Sequence, residues 1–111
     1  MELVLENTTS GSWTVVRVRG ELDLHTSGQL RDHVASLVER PSPRLALDLS
    51  QVEFMDSSSL GMLVTCLKRV RERDGRLILA GVSGSPMKVL SLTGLDRVFE
   101  LVDSPDDLPA D

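Results

Sequence analysis

The sequence predicts an α/β fold: a single domain built on a mixed, mostly parallel sheet of about five strands, with crossover helices on one face. Apolar segments of strand length alternate with amphipathic segments of helix length along the chain, as is typical of strands connected through helices. Two strand-like segments near the start are separated by a short turn, which indicates an antiparallel hairpin. Two strands alternate apolar and polar residues, so we expect helices to cover only one face of the sheet.

The hairpin is predicted within the first twenty residues. Leu3 to Leu5 form a short apolar strand, and Asn7 to Ser12 are turn-rich, with Gly11 as the expected left-handed position. Trp13 to Gly20 form the second strand. Its side chains divide by strand phase into Thr14, Val16 and Val18 on one face and Val15, Arg17 and Arg19 on the other. This alternation predicts one buried face and one solvated face.

A loop and the first helix follow. Gly20 to His25 are expected to form the loop, and Thr26 then begins a helix with Gln29 three residues on, the spacing of a capping box. Pro41 and Pro43 end this helix, because proline has no backbone N–H to donate. The apolar residues that share one helix face are Leu30, Val34, Leu37 and Val38.

The chain is organised around the segment from Val52 to Gly61. A third apolar strand, Leu45 to Leu49, leads into it, and an amphipathic helix leaves it after Asp56 and ends at Gly75. The buried face of that helix is predicted to contain Leu60, Leu63, Val64, Leu67 and Val70. Asp56 and the hydroxyls after it therefore lie where a strand ends and a helix begins.

The remaining segments continue the alternation. We predict a fourth strand from Arg76 to Gly81, a third helix that opens at Ser85–Pro86 with proline as its first residue and closes at Gly94, and a fifth strand from Arg97 to Val102. A short terminal turn of helix starts at Ser104. Parallel neighbours joined by right-handed crossovers place all the crossover helices on the same face of the sheet.

Composition limits the function. The 111 residues suit one domain, residues 1–111, and the net charge of −5 and aromatic content of 3% do not suit a nucleic-acid partner. Cys66 is the only cysteine, so no internal disulfide forms, which fits a reducing compartment. Glu2 and Glu6 do not suit a signal peptide, and no apolar run approaches the length of a membrane span. We expect a cytoplasmic protein with no membrane segment.

The candidate site is Asp56-Ser57-Ser58-Ser59. The first backbone N–H groups of a helix lack internal partners and carry the positive end of the helix dipole, so an anion is stabilised there. A phosphate on Ser57 would add about −1.5 to −2 charges at this position. Either Asp56 or Ser57 can be the N-cap residue, and a helix start with no further role is the alternative interpretation.

Three segments of the sequence resemble the anti-sigma factor antagonists, the small stand-alone STAS domains of bacterial partner-switching systems. They are Gly20-Glu21-Leu22-Asp23, then Leu47-Asp48-Leu49-Ser50 followed by Phe54-Met55-Asp56-Ser57-Ser58, and Leu60-Gly61. The order of elements matches the family from about Leu3 to Leu108.

The resemblance implies a specific function. Family members bind an anti-sigma factor that is also a serine kinase of the Bergerat ATP-binding type, and so free the sigma factor that controls transcription. The kinase phosphorylates the serine after the aspartate, here Ser57, which breaks the complex, and a PP2C-type phosphatase restores it. Asp23 matches an acidic loop residue near the partner-facing surface, although a solvated turn acid is the alternative. We therefore expect partner contacts at Asp23, Asp56, Ser57, Ser58, Ser59 and Met62.

One position departs from the family pattern, which usually has glycine where this chain has Ser59. Glycine leaves room for a partner to approach closely, whereas serine adds a Cβ and a hydroxyl. The departure motivates a second hypothesis, in which the chain is a phosphorylation-independent STAS subunit of a lipid-transport ATPase or of a larger signalling assembly.

For the other candidate residues, a structural role is preferred to a functional one. Met62 suits either the core or an adaptable binding surface, and Cys66 suits a buried thiol. His25 and His33 have no carboxylate or cysteine cluster at metal-ligand spacing, so we expect surface histidines and no metal or cofactor. Asp48 either orients the nearby loop or faces water. The common catalytic motifs are absent from the sequence, so nothing supports an enzyme.

Overall fold

The computed structural model describes residues 3–110. Five strands form one sheet: β1 (Val4–Ser10), β2 (Trp13–Leu22), β3 (Arg44–Met55), β4 (Arg76–Ala80) and β5 (Glu100–Val102). Three helices connect them: α1 (Ser27–Leu37), α2 (Ser57–Glu72) and α3 (Gly84–Thr93). The predicted domain limits, residues 1 and 111, and Glu2 lie outside the described residues.

The sheet topology confirms the predicted α/β fold. The strands lie side by side in the order β1-β2-β3-β4-β5. The β1–β2 pair is antiparallel, and the other three pairs are parallel. The carboxyl ends of β2, β3 and β4 therefore meet at one edge of the sheet.

The helices cover one face, as predicted. The main core joins the inward residues of the strands to the buried residues of all three helices. These helix residues include Leu30 and Val34 of α1, Leu63 and Leu67 of α2, and Leu90 of α3. The opposite face carries a smaller apolar cluster of Trp13, Val15, Ala46 and Ile78. The Trp13 indole N–H donates to the Pro109 carbonyl at 2.9 Å, so the C-terminal segment, not a helix, packs on this face.

The hairpin turn is shorter than predicted. Asn7 to Ser12 were expected to turn, but β1 continues to Ser10, which lies opposite Trp13. Only Gly11 and Ser12 remain between the strands, and Gly11 has the expected positive φ of 59°. The polar residues after Glu6 are tolerated in a strand because they lie at the exposed edge of the sheet.

The second and third strands are longer than predicted. Gly20 to His25 were expected to form a loop, and the third strand was expected to end at Leu49. Instead β2 continues to Leu22 and β3 continues to Met55, and these two terminal residues pair. A register shift after Gly20, whose φ is 124°, keeps the strands paired past the irregular segment. The long-range pairing, not local alternation, extends both strands.

The predicted capping box at Thr26 is wrong. Helix α1 begins at Ser27, and Thr26 makes no side-chain capping bond. Its hydroxyl instead donates to the Glu21 carbonyl at 2.6 Å. The Gln29 side chain accepts from the Leu3 N–H at 3.4 Å rather than returning to the cap. Both side chains thus tie α1 to the strands.

Helix α2 ends three residues before Gly75. Its last residue is Glu72, and Asp74 takes the positive φ of 57° that closes the turn. The Gly75 N–H donates to the Val70 carbonyl at 2.9 Å. A Cβ at Gly75 would lie 2.3 Å from the Pro43 carbonyl oxygen. Glycine is needed here for close packing of the backbone.

Two further boundaries move by a few residues. Helix α3 begins at Gly84, ahead of the predicted Ser85–Pro86 start, and Gly94 closes it with the expected positive φ of 76°. The fifth strand is only Glu100–Val102, because Leu95–Arg97 form a 3-10 turn. The terminal helical turn, Pro105–Asp107, begins after Ser104 as predicted.

Candidate functional site

The candidate site is the corner between β3 and α2. Asp56 is in an extended conformation, and its carboxylate accepts from the Ser58 N–H at 3.1 Å, so Asp56 is the N-cap of α2. The alternative, Ser57 as the cap, is wrong. The Asp56 N–H donates to the Leu22 carbonyl at 3.1 Å. This bond fixes the start of α2 to the end of β2.

The hydroxyls of Ser57 and Ser58 have different environments. Both residues are exposed. The Ser58 hydroxyl donates to the Asp56 carboxylate, whereas the Ser57 hydroxyl has no hydrogen-bond partner within residues 3–110. Ser57 is the first residue of a sixteen-residue helix, where the dipole stabilises negative charge. Of these two hydroxyls, the one on Ser57 is the more accessible for chemical modification.

Two residues predicted to contact a partner are buried. Ser59 is 0% exposed and Met62 is 7% exposed, and both face the interior from α2. The expectation that they form part of the binding surface does not fit the structure, because a partner cannot reach their side chains. The Ser59 hydroxyl is buried and has no hydrogen-bond partner in the described part of the chain. Met62 packs in the core, where its sulfur lies 3.8 Å from that of Cys66.

Asp23 lies on the neighbouring loop and is half buried. One carboxylate oxygen, Oδ1, accepts from the N–H groups of His25 at 2.8 Å and Thr26 at 3.0 Å, and from the Thr26 hydroxyl at 3.2 Å. Burial alone raises the pKa of Asp23, but these hydrogen bonds outweigh it and hold the pKa below its usual value. Asp23 is therefore charged, and it orders the loop between β2 and α1.

The structure brings Asp23, Asp56 and Ser57 together at one edge of the sheet. Leu22, directly before Asp23, pairs with Met55, directly before Asp56. The prediction that these residues belong to one surface is consistent with this placement. The role of Thr26 in ordering the Asp23 loop was missed; the available signal was Asp23 itself, since an aspartate side chain commonly accepts from the backbone two residues on.

The remaining candidates have structural environments. Asp48 is only 5% exposed, accepts from the Ser50 N–H at 3.1 Å and lies 3.8 Å from the Arg17 guanidinium. It is thus buried, and it orders β3 rather than facing water. Burial raises the pKa of Cys66 to about 11, so the thiol is unreactive as expected.

The histidines do not form a metal site. His25 is exposed, and His33 Nε2 lies 2.7 Å from the Asn7 side-chain oxygen. Within residues 3–110 no group of three His, Cys, Asp or Glu side chains is placed to hold a metal ion. In the same part of the chain, the helices are all too short or too polar to cross a bilayer.

The chain belongs to the STAS domain family, whose family model matches residues 4–108. Among its relatives, the anti-sigma-B factor antagonist of Staphylococcus aureus is 33% identical over 101 residues, which are 91% of this chain and 94% of that protein.

Solved structures agree with this assignment. An anti-sigma factor antagonist from Mycobacterium paratuberculosis is 28% identical and superposes with a TM-score of 0.84, over 95% of this chain and 89% of that one. The Bacillus cell fate determinant SpoIIAA in its phosphorylated form is 25% identical with a TM-score of 0.68, over 94% of each chain. The chain is therefore homologous to anti-sigma factor antagonists over nearly its whole length.

Proposed function

We propose that this chain is an anti-sigma factor antagonist that works by partner switching in the cytoplasm. The unmodified form binds an anti-sigma factor with Bergerat-type serine kinase activity, and so releases a sigma factor for transcription. Phosphorylation of Ser57 by that kinase ends the interaction, and a PP2C-type phosphatase restores it. Homology to the antagonists of Staphylococcus aureus and Mycobacterium paratuberculosis supports the partner class.

The environment of the Ser57 hydroxyl carries the proposal. It is exposed and without a hydrogen bond within the described residues, whereas the Ser58 proton is shared with the Asp56 carboxylate. In the transfer, the Ser57 oxygen forms a bond to the γ-phosphorus of ATP while the bond to ADP breaks, and the hydroxyl proton passes to a base of the kinase. The hydrogen bond to Asp56 holds the Ser58 hydroxyl in one orientation, whereas the Ser57 hydroxyl can turn toward the nucleotide.

The phosphate is expected to change binding and not folding. It adds about −1.5 to −2 charges beside the N-terminus of α2, whose dipole stabilises them. The Asp56 carboxylate lies on the adjacent residue and repels them, and a docked partner would have to bury the combined charge. The SpoIIAA relative was solved in a phosphorylated form with the same fold, which supports this expectation.

Phosphosite mapping tests the proposal. The wild-type protein and matched Ser57→Ala and Ser58→Ala variants are incubated with the anti-sigma factor kinases of the same genome and Mg-ATP. Mass spectrometry should find one phosphate on the Ser57 peptide in wild type and in Ser58→Ala, and none in Ser57→Ala. Absence of phosphate from wild type, together with unchanged binding of Ser57→Asp, would reject the proposal.

The alternative function is a phosphorylation-independent STAS subunit of a lipid-transport ATPase or a larger signalling assembly. Ser59 in place of glycine was its motivation, because an added side chain could block a partner. The Ser59 side chain is buried, so it adds no bulk to the surface around Ser57. The burial therefore favours the antagonist. Co-purification with an ATPase subunit, unaffected by Ser57→Asp, would reverse this preference.

A further inference from the structure

Two large apolar side chains are exposed on the segments that carry Asp23 and Ser57. Leu24 is 72% exposed and Phe54 is 43% exposed, although most apolar residues of this chain are buried. Leu24 lies two residues beyond the end of β2, and Phe54 lies two residues before the cap of α2. Exposed apolar residues scattered singly need no explanation, but exposed apolar surface rimmed by polar residues marks an interaction site.

The strand register brings these two side chains to the same edge. Phe54 pairs with Glu21, and Leu22 pairs with Met55. Leu22 and Met55 are buried in the core, so Phe54 points away from the helices. From strand spacing and rise, the Cα atoms of Leu24 and Phe54 lie within roughly 10–15 Å of each other. One partner surface can contact both.

Carboxylates are frequent in the two segments that carry the pair. Residues 21–25 and 51–58 contain four acids and no Lys or Arg; these acids, the acidic rim, are Glu21, Asp23, Glu53 and Asp56. The lowered pKa of Asp23 favours its charged form. The two segments thus combine exposed apolar side chains with carboxylates, and the neighbouring Arg19 is paired with Glu6. An apolar centre with a charged rim is a common arrangement in protein recognition.

We propose that Leu24 and Phe54 are the apolar anchors for the anti-sigma factor kinase, inserting into an apolar depression whose edge carries Lys and Arg side chains. This inference rests on the proposed function and names the chemistry of the partner's surface. A second copy of this chain does not fit the patch, because a two-fold contact would place the acidic rims of both copies against each other.

The anchors also account for the effect of a Ser57 phosphate. Docking of Leu24 and Phe54 excludes water from the corner, so a dianion on the adjacent Ser57 must lose its hydration when the partner binds. The Ser57 oxygen itself must face the nucleotide phosphates, since phosphoryl transfer requires contact with the γ-phosphate. Attraction at the acidic rim and repulsion at Ser57 therefore coexist in one interface.

Titration calorimetry tests the anchors. Each purified anti-sigma factor kinase of the same genome, loaded with Mg-ADP, is titrated with wild type, Leu24→Ser, Phe54→Thr and the control Leu92→Ser. Leu92 is 77% exposed on α3. That helix starts at the sheet edge that carries the site, and Leu92 lies about 12 Å along the helix from this start, away from the site. Threonine retains strand propensity at position 54, and the exposed Leu24 contributes little to folding.

We expect Leu24→Ser and Phe54→Thr each to weaken binding by about tenfold or more, as hot-spot residues do, and Leu92→Ser to change it by less than about twofold. Binding should also weaken by about threefold or more between about 0.05 M and 0.5 M NaCl. If both anchor variants bind as tightly as wild type, or if the affinity does not depend on salt, the inference is overturned and the proposed function is not. Failure of wild type to bind any of the kinases overturns the proposed function and the inference together.

Sedimentation of the free protein tests whether a second copy of this chain occupies the patch instead. The inference predicts that wild type and Leu24→Ser have the same molecular mass. A wild-type dimer that Leu24→Ser converts to monomer would assign the patch to self-association and would overturn the inference.

Discussion

Replacing Ser59 by alanine should stabilise the protein. The Ser59 side chain is 0% exposed, and among residues 3–110 its hydroxyl has no hydrogen-bond partner. A buried hydroxyl without a partner costs about 1–3 kcal/mol relative to water. The empty space left by one oxygen atom offsets part of this gain, so the expected net increase in unfolding free energy is about 1–2 kcal/mol.

Urea unfolding and thermal melting measure this change. With a urea dependence of about 1.5 kcal/mol per M for a domain of this size, the midpoint should rise by about 1 M. The melting temperature should rise by about 4–8 °C. The matched control is Ser57→Ala, which removes an exposed hydroxyl that makes no hydrogen bond within residues 3–110 and should change stability by less than about 0.5 kcal/mol. If Ser59→Ala is no more stable than wild type, the buried hydroxyl must be satisfied in solution and the expected gain is wrong.

Three other perturbations follow from the structure. Asp56→Ala removes the cap of α2 and should lower the unfolding free energy by about 1 kcal/mol in urea; no loss would mean that another group caps the helix. Gly75→Ala places a Cβ 2.3 Å from the Pro43 carbonyl and should cost about 1–3 kcal/mol, and a melting temperature equal to that of wild type would contradict that contact. The hydrogen bonds from Arg76 lower the pKa of Glu100, although burial opposes this shift. The pair therefore stabilises the fold above the ordinary Glu pKa, and this stabilisation is lost as pH falls through the lowered pKa. Between about pH 5 and 3, Glu100→Gln should lose less unfolding free energy than wild type, by under about 1 kcal/mol because the pair is half exposed; identical loss in the two proteins would mean that the pair does not stabilise the fold.

Local signals in the sequence were sufficient for the α2 corner. An aspartate before a run of small hydroxyl residues and then apolar residues at helical spacing predicts a helix start, and Asp56 caps α2 as that pattern indicates. The alternation of Leu45, Leu47 and Leu49 likewise predicted which side of β3 is buried. In both cases, contacts within a few residues decide the structure.

Features decided by contacts between distant segments could not be predicted in this way. β3 reaches Met55 because Leu22 pairs with it, and nothing near Met55 in the sequence indicates that pairing. The burial of Ser59 is likewise set by the packing of α2 on the sheet, since three successive serines give no sign of which one points inward. The exposure of Phe54 follows from the register shift after Gly20, which is also a property of the paired strands.

Phosphorylation of Ser57 is proposed to remove the partner while the fold stays intact. The affinity of protein carrying phosphoserine at position 57 for the Mg-ADP-loaded anti-sigma factor kinase, compared with that of unmodified protein, tests this proposal. The phosphorylated form should bind more weakly by at least about 100-fold, equivalent to about 2.7 kcal/mol. Equal affinity of the two forms would rule the proposal out.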